Sequence, residues 1–234
     1  MSERSERELE ALAPTTGWGA LHLFCKPTPR VDPEAVATAV KAAESDETQV
    51  VAFAVLGHKA DLGFLALGPD LWRLRALQTA LQQAGLDVVG SYVSLTEVSE
   101  YAKGMPAEML TPRLYPQLPP PGMRAICFYP MSKRRDAQHN WYTLPYERRE
   151  ELMYGHGRSG RAFKGRVLQL VTGSTGIDDY EWGVTLFGVH PDDLKDVVHT
   201  LRFDEASALY AEFGPFVTGM VADVEDVLAS VGLG

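Results

Sequence analysis

The side chains most able to do chemistry gather in one stretch, Cys127 to Gly157, which reads CFYPMSKRRDAQHNWYTLPYERREELMYGHG. Within it His156 offers a ring nitrogen to a metal and could serve as an axial ligand to iron. It could equally be a histidine at a helix C-terminus, where the dipole favours a cation, with Gly157 behind it as a stop signal. Tyr129 could be an amphipathic core or rim residue or a one-electron relay. If it shared a cavity with Lys133, the cation would favour a phenolate over the usual pKa near ~10, and a phenolate is easier to oxidise. Strand alternation places Tyr129, Met131, Lys133 and Arg135 on one face and Arg134 on the other. Arg113 in PRLYP, and Arg202 and Ser207 in RFDEAS, could bind a carboxylate or act as surface caps and ion pairs.

Charge singles out the same region. From Arg124 to Arg166 ten Lys and Arg stand against four acids, a balance of +6, whereas the whole chain carries −9 and the remainder therefore −15. That reversal suggests an anionic ligand nearby or a solvated basic face. The overall acidity argues against general nucleic-acid binding. No HxxxH, CxxC or CxxCH occurs, so a zinc site or covalently attached haem is not expected. GSTG at Gly173–Gly176 is neither a dinucleotide fingerprint nor a P-loop, and no GxSxG supports a hydrolase.

Hydrophobic content of 45% and charged content of 23% describe a folded globular chain. No run approaches the ~20 apolar residues of a membrane helix. The charged start MSERSERELEALAP has no apolar signal core and is expected to be a flexible arm over residues 1–16. Cys25 and Cys127 lie in strand-like runs and are expected to be buried thiols rather than a disulfide.

The elements that position these residues fall in a repeated order. Trp18–Pro27 alternates Leu21, Leu23 and Cys25 against His22 and Phe24. Asp32-Pro33 reads as a helix start, leading to about Glu44. Thr48–Leu56 and Ala60–Leu67 read as a hairpin, broken at Gly57-His58-Lys59. A helix from Pro69 to its cap at Gly85 precedes a strand over Asp87–Val98. The order is βαββαβ, a ferredoxin-like unit over residues 17–98. The prolines of residues 99–122 predict a stiff linker without a packed element. Residues 123–234 repeat the order: strand Arg124–Met131, helix Pro145–His156, strands Arg166–Gly173 and Tyr180–Val189, a helical region from Pro191 that continues, broken, towards Glu212, a strand over Gly214–Val221 and a terminal helix over Val224–Val231. The fold class is α+β, with two units forming a dimeric α+β barrel. Their uncovered sheet faces must pack together, or one must shelter a ligand.

The blocks YPMSKRR, NWYTLPYERREELMYGHGRSGR, GSTGIDDYEWGVTLF and RFDEASALYAEFGPF closely resemble the chlorite dismutase-like family, and specifically its coproheme decarboxylase branch. The likeness is dense from Arg113 to Gly219 and weaker in GWGALHLF and GHKADLGFLAL. The resemblance implies iron-coproporphyrin III as substrate, hydrogen peroxide as co-substrate and haem b as product. It implies His156 as the axial iron ligand, Tyr129 as the tyrosine that becomes a radical and takes a β-hydrogen from a propionate, Lys133 as the lysine beside a second reactive propionate, and Met131 between them. Arg113, Arg202 and Ser207 match propionate-binding positions. Gln169 matches the distal glutamine, where true chlorite dismutases carry an arginine. Pro112 aligns where some members have a distal histidine, so a water or a propionate would accept the phenol proton. The family further implies a homopentamer, a cytoplasmic enzyme, and transient contact with ferrochelatase. The alternatives are a chlorite dismutase or haem peroxidase on the same fold, a haem carrier without turnover, and a structural module binding no porphyrin.

Overall fold

The computed structural model describes residues 10–44, 47–102 and 104–234. Strand β1 (Gly19–Pro27), helix α1 (Pro33–Glu44), strands β2 (Gln49–Leu56) and β3 (Leu62–Gly68), helix α2 (Leu71–Gln83) and strand β4 (Leu86–Thr96) make the first βαββαβ run. After a 3-10 turn at Glu100–Ala102 and helix α3 (Ala107–Leu114) come β5 (Ala125–Lys133), a 3-10 turn at Trp141–Thr143, α4 (Tyr146–Arg161), β6 (Val167–Gly173) and β7 (Trp182–Gly188). Helices α5 (Pro191–Leu201) and α6 (Glu205–Ala208), strands β8 (Ala211–Phe213) and β9 (Val217–Val221), and helix α7 (Val224–Ser230) end the chain.

Local chemistry explains the helix ends. Asp32 Oδ1 accepts from the Ala35 amide at 3.1 Å and Asp70 Oδ1 from the Trp72 amide at 3.0 Å, each satisfying an orphan helix donor. Gly85 follows α2 at φ +92°, and a Cβ there would lie 2.6 Å from the Arg30 carbonyl oxygen. Gly85→Ala is therefore expected to cost about 1–3 kcal/mol, read as a lower urea midpoint with an unchanged slope.

All pairings are antiparallel. Within each run the strands lie in the order β4-β1-β3-β2 and β6-β7-β5-β9, and the two runs join through β2–β9 and β4–β6. Eight strands thus close into one ring, with β8 added on β5. Ala20, Phe24, Phe53 and Leu65 of the first run meet Ile126, Phe128, Leu170 and Phe187 of the second in one core, so the uncovered faces do pack together. The helices line the outer faces. Leu74, Leu77 and Leu81 of α2 share a core with Val224, Val227 and Leu228 of α7. Leu194, Val197 and Leu201 of α5 cover Cys127, Val184 and Leu186. Both cysteines are free and buried.

Four expectations are corrected. The residues before Gly122 are not wholly a linker, because α3 forms there with Pro112 in its last turn, where the proline forgoes one intrahelical amide bond. The helix holding His156 does not stop at Gly157 but runs to Arg161, through Gly155, Gly157 and Gly160. The broken helical region after Pro191 ends in strand β8 rather than in helix. Of the expected N-terminal arm, residues 1–9 lie outside the described residues, and Leu12 is held to α2 through its amide on Asp70 Oδ1 at 3.0 Å and its carbonyl from Leu71 at 2.9 Å. Among the described residues no helix is long and apolar enough to cross a membrane.

Candidate functional site

Helix α4 occupies the place where a βαβ crossover normally packs its apolar stripe on the sheet. It does not do so. Of its sixteen residues only Leu152 is buried, and it packs chiefly on α5, α6 and the 3-10 turn at Glu100–Ala102. The outward face of β6 is covered by α5 only at Val167: Gln169 is exposed and Val171 is 44% exposed, while Leu168 and Leu170 on the other face join the central core. Gly160 comes nearest this face, with a notional Cβ 3.6 Å from Gln169 Nε2, and Gly155 has nothing within 4 Å. The small residues of α4 and the exposed side chains of β6 thus define a thinly covered slot between helix and strand.

His156 lies on the same face of α4 as Gly160, one turn away. Its Nδ1 stands 3.2 Å from Asp204 Oδ2 without hydrogen-bond geometry, so both atoms are buried and otherwise unpartnered. Asp204 is held in turn by Ser159 Oγ, which donates to Oδ1 at 2.9 Å. Burial, and then the nearby Lys133 charge, lower the His156 pKa, while Asp204 opposes them. The imidazole is thereby kept neutral, the form that binds iron, with Nδ1 turned to a carboxylate and Nε2 left to meet a ligand. Sequence reading took Arg202 and Ser207 from RFDEAS and missed Asp204 between them; no spacing rule ties residue 204 to residue 156.

Tyr129 lies on β5 facing α5, 5% exposed. Phe216 stacks on its ring at 4.5 Å and 24°, and Phe213 meets it edge-on at 5.7 Å. Burial raises the phenol pKa, and the opposing cation is Arg202. The expectation that Lys133 would favour a phenolate is thus overturned: the apolar box outweighs any cation, and the phenol stays protonated. Lys133 sits four residues on along the strand, buried, donating to the Ala206 carbonyl at 2.9 Å and lying 4.1 Å over the Trp141 ring. Burial brings its pKa down to about 8, with Glu181 resisting. Glu181, also missed in the sequence, is buried and accepts the Lys133 amide at 2.7 Å.

The other candidates are placed as follows. Met131 is half-buried beside Tyr129. Arg202 ends α5, with its guanidinium 4.7 Å over Phe213. Ser207, half-buried, lies on α6, one turn from the Asp204 that reaches His156. Arg113 is exposed on α3, and no contact brings it to His156. The basic excess is largely spent on acids from elsewhere: Arg149 faces Glu100, Arg135 faces Glu181, Arg166 faces Asp193, Arg148 faces Glu205 and Arg134 faces Glu212. Among the described residues Arg158 and Lys164, near the end of α4, form no ion pair.

A groove of about 530 Å³ lies elsewhere, between α1, β2, residues 119–124 and the start of α7. None of the candidate residues lines it, so it is not the site. Among the described residues no cluster of three His, Cys, Asp or Glu could hold a bare metal ion. One imidazole beside a thinly covered slot suits instead an iron whose other ligands arrive with it, as a porphyrin's four nitrogens do.

Comparison with known proteins agrees with this geometry. The chlorite dismutase family profile matches residues 32–222, and the chain belongs to that family. Among its relatives, a coproheme decarboxylase of Thermus thermophilus is 43% identical over 187 residues, 77% of this chain and 74% of that protein. The coproheme decarboxylase of Staphylococcus carnosus is 38% identical over 234 residues, 89% and 93% of the two chains. The structure of a heme-binding protein from Thermus thermophilus superposes with TM-score 0.82 at 36% identity, over 96% of this chain and all of that one. A mutant chlorite dismutase from Candidatus Nitrospira defluvii gives 0.74 at 19% identity over 93% and 97%, which shows the shared fold.

Proposed function

We propose that this chain is a coproheme decarboxylase, an oxidoreductase that uses hydrogen peroxide to convert two propionates of iron-coproporphyrin III into vinyl groups, giving haem b. Each conversion consumes one propionate, one peroxide and one proton, and yields a vinyl group, carbon dioxide and two waters. The observation that carries the proposal is helix α4 burying only Leu152 while it holds a neutral, largely enclosed His156 beside Asp204, with Gln169 and Val171 of β6 left exposed. Family membership and relatives of about 40% identity over most of the chain support it.

The iron supplies the oxidising chemistry when peroxide is present. His156 holds it through Nε2, with Asp204 fixing the ring from the Nδ1 side. Tyr129, once it has given up an electron and a proton, takes the β-hydrogen atom from one propionate and so returns directly to its phenol form, while the carbon left behind loses one further electron to the peroxide-derived oxidant as carbon dioxide leaves. Lys133, whose ammonium lies in an apolar setting, holds the second propionate, with Met131 between the two. Arg202, Ser207 and Arg113 bind the remaining carboxylates, and Gln169 faces the peroxide side. Pro112 offers no base, so the proton of Tyr129 passes to water or to a propionate. The finer organisation goes with this reading: an arm over 1–16, ferredoxin-like units at 17–98 and 123–234 joined by 99–122, a dimeric α+β barrel, a ring of five subunits in the cytoplasm, and a passing contact with ferrochelatase as porphyrin donor.

Titrating the protein with iron-coproporphyrin III and peroxide, and following porphyrin mass, tests the function. Loss of two carbon dioxide units is expected; bleaching without that loss would sink it in favour of a peroxidase. Gly160→Leu tests the location. Its Cβ meets Gln169 at ordinary contact distance, and leucine is a better helix former than glycine by roughly 0.8 kcal/mol, so the fold should hold. The side chain would occupy the slot, and coproporphyrin binding should weaken by about tenfold or more. Unchanged affinity in a Soret titration would move the site elsewhere.

A further inference from the structure

The first βαββαβ run carries none of the residues assigned above, yet one of its side chains reaches the site. Lys59, in the turn between β2 and β3, donates through Nζ to the carbonyl oxygen of Phe216. Phe216 is the ring stacked on Tyr129. The loop that carries it is fixed at its other end as well. Phe213 pairs with Met131 in the β5–β8 ladder, and the Gly214 amide donates to the Pro130 carbonyl at 2.8 Å. A Cβ at Gly214 would come within 2.6 Å of Pro130 and 2.7 Å of Tyr180, so the loop runs hard against β5 with no slack there. Between Gly214 and β9 the Phe216 carbonyl is held by Lys59.

We propose that Phe216 and Lys59 are positioning residues for Tyr129, with Lys59 of the first half anchoring the aromatic plate that fixes the phenol ring of the second. The proposal rests on Tyr129 being the reacting phenol. A hydrogen transfer demands that its donor and acceptor be placed to within about 0.5 Å, and an error near 1 Å can cost about a hundredfold. A lone buried tyrosine can still flip and tilt about its two-fold χ2; an offset-stacked ring removes much of that freedom.

The test places 3-fluorotyrosine at position 129 of the full chain without porphyrin and records its ¹⁹F resonance. Phe216→Leu keeps apolar volume but removes the ring current, so the signal should move downfield and show faster ring flipping. Lys59→Met keeps the aliphatic stem and frees the carbonyl, so the signal should broaden or split; Lys59→Arg should restore it. In the loaded enzyme Phe216→Leu should lower kcat by about tenfold with KM for coproheme unchanged. A ¹⁹F signal identical to wild type in both Phe216→Leu and Lys59→Met overturns the proposal, as does a loss confined to KM. If the resonance shifts as expected while the wild-type chain releases no carbon dioxide, the positioning contact stands and the assignment of the reaction falls. If Phe216→Leu does not fold, Lys59→Met with its arginine rescue decides alone.

Discussion

Tyr129→Phe is expected to bind coproheme as the wild type does and to release carbon dioxide at least about a thousandfold more slowly, a barrier increase of about 4 kcal/mol. The substitution removes one oxygen and nothing else. The phenyl ring keeps its stacking with Phe216 and its edge contact with Phe213. Among the described residues no protein group hydrogen-bonds the phenol oxygen, so none is left unsatisfied, and the pocket should keep its shape. What disappears is the O–H bond, and with it a side chain able to give up an electron and a proton and later recover them. A phenol held protonated by its surroundings must lose both together, so its oxidation depends on a nearby proton acceptor, and no side chain replaces it here. Mass spectrometry after peroxide addition should show the starting porphyrin, with its Soret band shifted by binding. Two carbon dioxide units lost at the wild-type rate would exclude Tyr129 from the reaction. A wild type that binds but never turns over would instead indicate a carrier.

Acid should weaken the fold through a residue far from the slot. His22 is wholly buried between the two sheet halves, with Nε2 2.8 Å from Thr185 Oγ1 and its ring 4.1 Å from that of Phe128. Its Nδ1 has no partner. Burial lowers its pKa from 6.5 to about 3. Between those values the unfolded chain binds a proton at this site and the folded chain does not, so stability rises with pH across that window and is lost as pH falls. The gap is worth about 5 kcal/mol once fully developed below pH 3, and about 3 kcal/mol at pH 4.5. Urea unfolding of the porphyrin-free protein at pH 7 and pH 4.5 should show that loss. His22→Leu should cost about 1–3 kcal/mol at pH 7, because Thr185 loses its partner, yet flatten the slope between the two pH values. An equally steep slope in the variant would put the acid sensitivity in other groups.

Patterns of short range were legible in the sequence. Apolar alternation and helical spacing gave the βαββαβ order twice, Asp32 sat where a helix starts, and alternation set Tyr129 and Lys133 on one side of β5. These depend on steric and hydrogen-bonding rules acting within a few residues. Gly157 misled, because the helix runs on through it to Arg161, and a glycine stop signal says nothing of the packing that lets a helix continue. How much of the basic excess stays unpaired was not legible, since Glu100, Glu181, Asp193, Glu205 and Glu212 pair with arginines that are distant from them in sequence.

By itself, then, the sequence determined the order of elements and the family, and it nominated the side chains whose chemistry could serve the reaction. Only the tertiary structure decided their states. His22 belongs to an ordinary alternating strand, but the meeting of two sheets buried it and took away its proton. Tyr129 was read beside a cation, but Phe213 and Phe216, more than eighty residues on, enclosed it in an apolar box. Asp204 came to His156, and Lys59 to Phe216, by folding alone. Proton affinity follows the dielectric and the charges within a few ångströms, and which groups lie that close is set by chain topology rather than by neighbours along the chain.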